Sequence, residues 1–184
     1  MAYNRPGQVT AGNAIAESWG DAVDDSFVFF KNLVQAVAVI QDQKAGNTAG
    51  GTFTAGAWRT RDLNAEVSDG QALVAISSNQ FTPAAADYLL LAWAPAFIVQ
   101  RHQARLYNAT GTAAVITGSS EVSNAADSTQ TLSFVCGAFT ANGSDAYEIQ
   151  HYCSTTNADD GYGLAANTGV GEVYTTVLLI KLDD

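Results

Sequence analysis

Positive charge is scarce in this 184-residue chain: 8 lysines and arginines stand against 18 aspartates and glutamates, for a formal net charge of -10. Phosphate backbones are held by basic faces, which so acidic a chain cannot furnish, and nucleic acid is excluded as a partner on that ground. Charge of either sign is short. Charged residues make up 14% of the sequence and hydrophobic ones 47%, where a soluble domain usually carries about 25% charged residues. The apolar surplus is expected to be buried between subunits. Cysteine is nearly missing. Cys136 and Cys153 are too few for a disulfide framework and form no C-x-x-C pair, so two buried free thiols are expected ahead of one inter-strand bridge. Long hydrophobic runs are lacking as well. None reaches the roughly 20 apolar residues of a spanning helix, so no membrane insertion is expected, and the opening MAYNRPGQV has no basic region followed by an apolar one to suggest a secretory signal.

Motifs of catalysis are absent too. There is no H-E-x-x-H, P-loop or G-x-S-x-G, and the two histidines, His102 and His151, have no partner at a recognisable spacing. Both read as satisfied structural histidines, and neither an enzyme nor a cofactor is expected. Cys153 shares a strand face with His151, but with Cys136 it still lacks a fourth zinc ligand. The acidic turn Asp159-Asp160-Gly161 and Asp145 do not form the calcium pattern D-x-[DN]-x-[DN]-G.

What the chain does contain is organised around Asp87 to Asn108, DYLLLAWAPAFIVQRHQARLYN. Tyr88 to Ala94 is the most hydrophobic run, of strand length and expected to end at Pro95. After Ala96-Phe97-Ile98-Val99 the chain turns basic, with Arg101 and Arg105 on a second strand. If that strand is buried on both faces, each guanidinium needs a carboxylate. Arg59 and Arg61 lie on one face of a further strand, Thr54 to Leu63, with Trp58, Thr60 and Asp62 on the other. These four arginines either clamp Asp62, Glu148 or Asp87, within the fold or between subunits, or capture an acidic ligand or sugar. Loop aromatics such as Tyr162 and Phe97 could stack on a glycan.

Residues 1 to about 12 are small and polar, with Pro6, Gly7 and Gly12, and read as an extended arm. From Asn13, an N-cap residue type, Ile15, Trp19, Val23, Phe27 and Phe30 recur every three or four positions, which is the spacing of an amphipathic helix. Its bulky stripe is expected to pack on its own domain, on a partner or on symmetry mates. After it the pattern changes to strands: Val37 to Gln43, Leu73 to Ile76, Asn79 to Thr82, Ala113 to Thr117, Thr131 to Thr140, Ala146 to Thr155 and Glu172 to Leu182. Asn142-Gly143 between two apolar strands signals a hairpin. Tyr147, Ile149, His151 and Cys153 share one strand face; Tyr174, Thr176, Leu178, Ile180 and Leu182 share another. The last strand is too apolar for a sheet edge and is expected in mid-sheet. Many short strands without a repeat period predict an all-β sandwich.

The runs AGGTFTAGAWRTRDLN (Ala49 to Asn64), SNQFTPAAADYLLLAWAPAF, RHQARLYN (Arg101 to Asn108), EIQHYC (Glu148 to Cys153) and GEVYTTVLLIKL together resemble the β-sandwich heads of bacteriophage tail and head fibres and related virion proteins. Those heads are similar in architecture to the tumour necrosis factor (TNF) and C1q jelly rolls. The resemblance implies an all-β, TNF/C1q-like jelly roll of ten strands over residues 37–184 that assembles as a homotrimer, preceded by a helix and arm over residues 1–36 that anchor it to capsid or tail proteins. Ile15, Trp19, Val23, Phe27 and Phe30 would be the anchoring residues. Arg59, Arg61, Arg101, Arg105, Tyr107 and Tyr174 would serve the trimer interface or internal ion pairs. Tyr88, Trp93 and Tyr152 are further interface candidates. The implied setting is a virion assembled in the host cytoplasm, with distal loops free to touch a host-surface glycan or protein. A soluble trimeric lectin-like carbohydrate-binding module is the alternative.

Overall fold

The computed structural model describes residues 36–124 and 126–182. The expected arm, helix and anchoring residues Ile15 to Phe30 lie outside them. Among the described residues, eleven strands form two antiparallel sheets. They are β1 (Val37–Lys44), β2 (Arg59–Thr60), β3 (Ala65–Asp69), β4 (Val74–Ser77), β5 (Gln80–Pro83), β6 (Ala86–Phe97), β7 (Gln100–Asn108), β8 (Ala113–Ser123), β9 (Gln130–Ala141), β10 (Tyr147–Cys153) and β11 (Glu172–Leu182). One sheet runs β3-β1-β11-β6-β9; the other runs β4-β5-β10-β7-β8, with the short β2 also on β10. The all-β sandwich expected from the strand pattern is what the chain forms.

Period-two alternation fills the space between the sheets. From the first sheet come Ala38, Ile40, Tyr88, Leu90, Ala92, Ala94, Val135, Val177 and Leu179; from the second come Phe81, Ala104, Leu106, Tyr147 and Ile149. At about 25 cal/mol per Å² of apolar surface, each large side chain here contributes roughly 2 kcal/mol toward holding the layers together. The apolar β11 is flanked by β1 and β6, in mid-sheet as its composition requires. Beside it, β6 and β9 pair without a break from Ala86 opposite Ala141 to Phe97 opposite Gln130.

On one side the sandwich is stitched closed by serines. Ser133 Oγ accepts from the Ala104 N–H (2.8 Å) and donates to the Ser119 carbonyl (2.7 Å), and Ser119 Oγ accepts from the Phe134 N–H (3.0 Å). Gly118 permits this approach. A Cβ there would sit 2.7 Å from the Phe134 carbonyl oxygen and 2.9 Å from that of Ala104.

Several expectations change. Pro95 does not end the organising strand, which continues to Phe97. Its carbonyl points toward the β11 side, where it accepts from Arg61 Nη1, and β11 pairs with β6 only as far as Trp93. The missing N–H therefore falls where no ladder bond is needed. Asn142-Gly143 does not close a hairpin: β9 and β10 belong to different sheets. Asn142 Oδ1 accepts from the backbone N–H groups of Ser144 and Asp145, and Gly143 takes φ 82°, so the turn chemistry turns the chain from one sheet to the other. Thr54 to Leu63 pairs as a strand only at Arg59 and Thr60. Ala65 to Asp69, polar and missed in the sequence, pairs with β1 at a sheet edge. Of the two thiols, only Cys153 is buried; Cys136 is exposed, both are free, and they lie in opposite sheets.

Candidate functional site

Each sheet also has a face directed away from the core, and the two differ in chemistry. On the five-stranded sheet the middle outward positions are apolar on four adjacent strands, bounded by polar Gln41 and Thr176 at one end and Asp87 and Thr140 at the other. Register aligns them in rows: Val39, Leu178, Leu91 and Cys136 form one; Val37, Ile180, Leu89 and Ala138 the next. A third row places Thr176 beside Trp93 and Trp93 beside Phe134, the two rings 5.4 Å apart. Strands about 4.8 Å apart, with rows about 6.8 Å apart along them, make a patch on the order of 300 Å² in projection. The largest apolar patch on a folded domain is commonly about that size and is often functional. The aromatic interface candidates read from the sequence do not include these aliphatic rows. The signal was present: Val37 to Ile40, Leu89 to Ala92 and Val177 to Ile180 are apolar at both phases of the alternation, as strands covered on both faces are.

The six-stranded sheet presents a different outward face. Along β7, Arg101, Gln103, Arg105 and Tyr107 point away from the core while His102, Ala104 and Leu106 are buried. Because only one face of β7 is buried, its arginines do not need the carboxylates expected for them. Arg105 donates from Nε and Nη2 to Gln150 Oε1 at 3.0 and 2.6 Å, and its guanidinium lies 4.0 Å from the Trp58 ring and 4.8 Å from the Tyr107 ring. Burial among these rings pulls its pKa below the usual value. Arg101 is exposed beside Tyr152 and Val122. Arg59, on the opposite phase of its strand, donates to the Thr54 carbonyl at 3.3 Å.

Arg61 alone enters the interior. It donates from Nε to Thr175 Oγ1 (2.7 Å), from Nη1 to the Pro95 carbonyl (3.2 Å) and from Nη2 to the Tyr162 carbonyl (3.0 Å), and it lies 4.1 Å from the Tyr162 ring. Complete burial lowers its pKa to about 10, yet every contact is to a neutral oxygen or a ring. Among the described residues the ion pairs belong to Lys44, whose Nζ is 3.2 Å from buried Asp42 and 2.9 Å from Asp62. The alternative of internal arginine–carboxylate pairs thus gives way to arginines held by amides, carbonyls and rings. Asp62 is occupied by Lys44, and Glu148 accepts from Gln80 and Gln150.

The other candidate residues are dispersed. Tyr88 is in the core and Tyr174 is buried, donating to the Thr48 carbonyl at 2.7 Å, its pKa raised by burial to about 12. Tyr107 and Tyr152 sit on one outward face and Trp93 on the other, so one sheet face cannot carry all of them. Tyr162 packs on Phe53 (4.5 Å between centroids) and Phe97 is buried, so neither is free to stack on a glycan. His102 and His151 are buried as a pair: His102 Nδ1 is 3.0 Å from His151 Nε2, and His102 Nε2 is 2.7 Å from Thr131 Oγ1. Burial pulls His102 down to about 4 and His151 well below its ordinary value. His151 and Cys153 share a face with no third ligand, and among the described residues no group of three or more His, Cys, Asp and Glu is placed to hold a metal.

No family model matches the chain, and no curated protein does. Solved structures do. The globular domain of zebrafish complement 1qA protein superposes with a TM-score of 0.51 at 13% identity, over 81% of this chain and 98% of that one. Eiger TNF from S. frugiperda gives 0.51 at 12% identity over 80% and 92%, and murine APRIL gives 0.50 at 9% identity over 79% and 98%. The two-sheet sandwich is a TNF/C1q-like jelly roll, as the sequence motifs implied.

Proposed function

We propose that this chain is the head of a virion fibre or decoration protein, assembled as a homotrimer through the outward face of its five-stranded sheet and attached to capsid or tail proteins by residues 1–36. One observation carries the reading: the rows through Val39, Leu178, Leu91 and Cys136 and through Val37, Ile180, Leu89 and Ala138 make an apolar surface continuous over four strands. Obligate interfaces resemble a domain core cut in half, and this surface has that composition. It gives the low charge content a physical destination. The motif resemblance to phage fibre heads supports the virion setting, and the jelly roll supports the architecture. In this arrangement the six-stranded sheet faces outward, toward a host surface.

The test has two parts. Native mass measurement on the whole chain should give a trimer that a charged substitution in the apolar rows dissociates. Deleting residues 1–36 should abolish attachment to the particle and leave the head folded; attachment that survives the deletion contradicts the anchoring role.

A further inference from the structure

The outward face of the six-stranded sheet collects what the chain otherwise lacks. Beside β7 and β10 lies a groove of about 440 Å³ whose lining includes Arg101, Gln103, Ser120, Val122, Tyr152 and Ser154. Val122 and Tyr152 are 55% and 38% exposed, so its apolar walls are open to a ligand. The face continues past the groove to Trp58, whose ring is 5.8 Å from that of Tyr152, and to Arg105 stacked on Trp58. Arg101 and Arg105, four residues apart on one strand face, are separated by about 13 Å along the strand.

We propose that this face binds an acidic polysaccharide, with Arg101 and Arg105 taking carboxylates of non-adjacent sugar units and Trp58 and Tyr152 stacking on the rings between them. Arg105 is already ordered: Gln150 and two aromatic rings fix its guanidinium plane while other N–H donors are unspent. A fork held in place loses little freedom on binding. Among the described residues Arg101 has no carboxylate within ion-pair distance. The Gln103 side-chain oxygen and the hydroxyls of Ser120 and Ser154 suit a sugar's hydroxyl groups, and aromatic faces suit its C–H faces. Glu121 also lines the groove and Glu148 adjoins Arg105 in its field. These carboxylates disfavour a chain as densely charged as a polyphosphate and tolerate one that carries a single carboxylate per sugar ring. The inference deepens the proposed contact with a host surface and rests on that reading only for the origin of the glycan, since the face is complete within one protomer.

The experiment is calorimetric titration of the full chain with an oligogalacturonate, its carboxyl-reduced neutral counterpart and a polyphosphate, at low and high salt, with native mass recorded on the same samples. Oligogalacturonate should bind, and raised salt should weaken it. The neutral counterpart should bind at least about tenfold less tightly, as should the variant Trp58→Ala. Arg101→Glu should abolish binding; its side chain is exposed, so an unchanged thermal transition confirms that the fold is intact. No binding by the wild-type chain, equal binding of the neutral glycan, tighter binding of polyphosphate, or unchanged affinity in Arg101→Glu would each overturn the proposal. A monomeric mass with binding intact would contradict trimer assembly and leave this site standing.

Discussion

The two outward sheet faces of this sandwich are built on the same alternation and have opposite chemistry. On the five-stranded sheet the positions facing away from the core repeat the aliphatic composition of the core itself, as in the row Val39, Leu178, Leu91. On the six-stranded sheet they are arginines, glutamines and ring systems, as in Arg101, Gln103, Arg105 and Tyr107 along β7. The difference teaches that the apolar surplus is not spread over the surface. Its continuous aliphatic rows are on one side, which is where an assembly interface belongs, while the other side sets isolated exposed apolar residues such as Val115 and Val122 among polar and aromatic ones.

The comparison can be broken most forcefully in the middle of the apolar rows. Leu178→Glu places a charge between Val39 and Leu91 on a face proposed to be dry. It should raise the trimer dissociation constant on the order of 1000-fold, equivalent to about 4 kcal/mol, while far-UV circular dichroism stays unchanged. Tyr152→Glu, on the opposite sheet, should leave the native mass as it is.

An interior substitution serves as the control that touches neither face. Arg61→Met removes the donors that hold Thr175 Oγ1 and the carbonyls of Pro95 and Tyr162, leaving buried acceptors unpaired. Denaturant unfolding should show a loss of about 3 kcal/mol.

Acid provides a third test. His102 and His151 are buried and neutral, with pKa values pulled below the ordinary 6.5, His102 to about 4. The unfolded chain binds protons first, so the stability these histidines contribute is fully present above pH 6.5 and declines as pH falls toward 4. About 2 kcal/mol or more should be lost over that interval. His102→Gln should flatten the profile. A denaturant midpoint independent of pH across the window would contradict the neutral pair.

The smallest effect is expected at the basic face. Arg101→Ala removes an exposed side chain and should change unfolding free energy by less than about 0.5 kcal/mol, so any loss of binding there is not a loss of fold.

Some of this was legible in the letters. Glu172 to Leu182 carries β-branched and aliphatic residues at both phases of the alternation, and it forms a central strand with those bounds. Fold class followed from many short strands and few helical patterns. Pairing did not follow, because a turn signal reports a change of direction and not which sheet receives the next strand. Asn142-Gly143 shows this: its turn chemistry is as expected and its destination is the other sheet. Pro95 misled for a related reason, since its tolerance depends on where the neighbouring strand β11 stops. Ala65 to Asp69 offers only Ala65 and an exposed Val67 as apolar positions, being held at an edge by backbone bonds to β1. For the arginines, scarcity drew attention to the right residues, while their partners were set by tertiary neighbours, Trp58, Gln150 and Tyr162, that spacing does not reveal.

The account stands or falls on how many copies of the chain associate. Native mass spectrometry across a dilution series, repeated with Leu178→Glu, addresses that directly. A wild-type species at three times 19.2 kDa, persisting on dilution and lost in the variant, is what the apolar sheet face predicts. A monodisperse wild-type monomer at high concentration would contradict it.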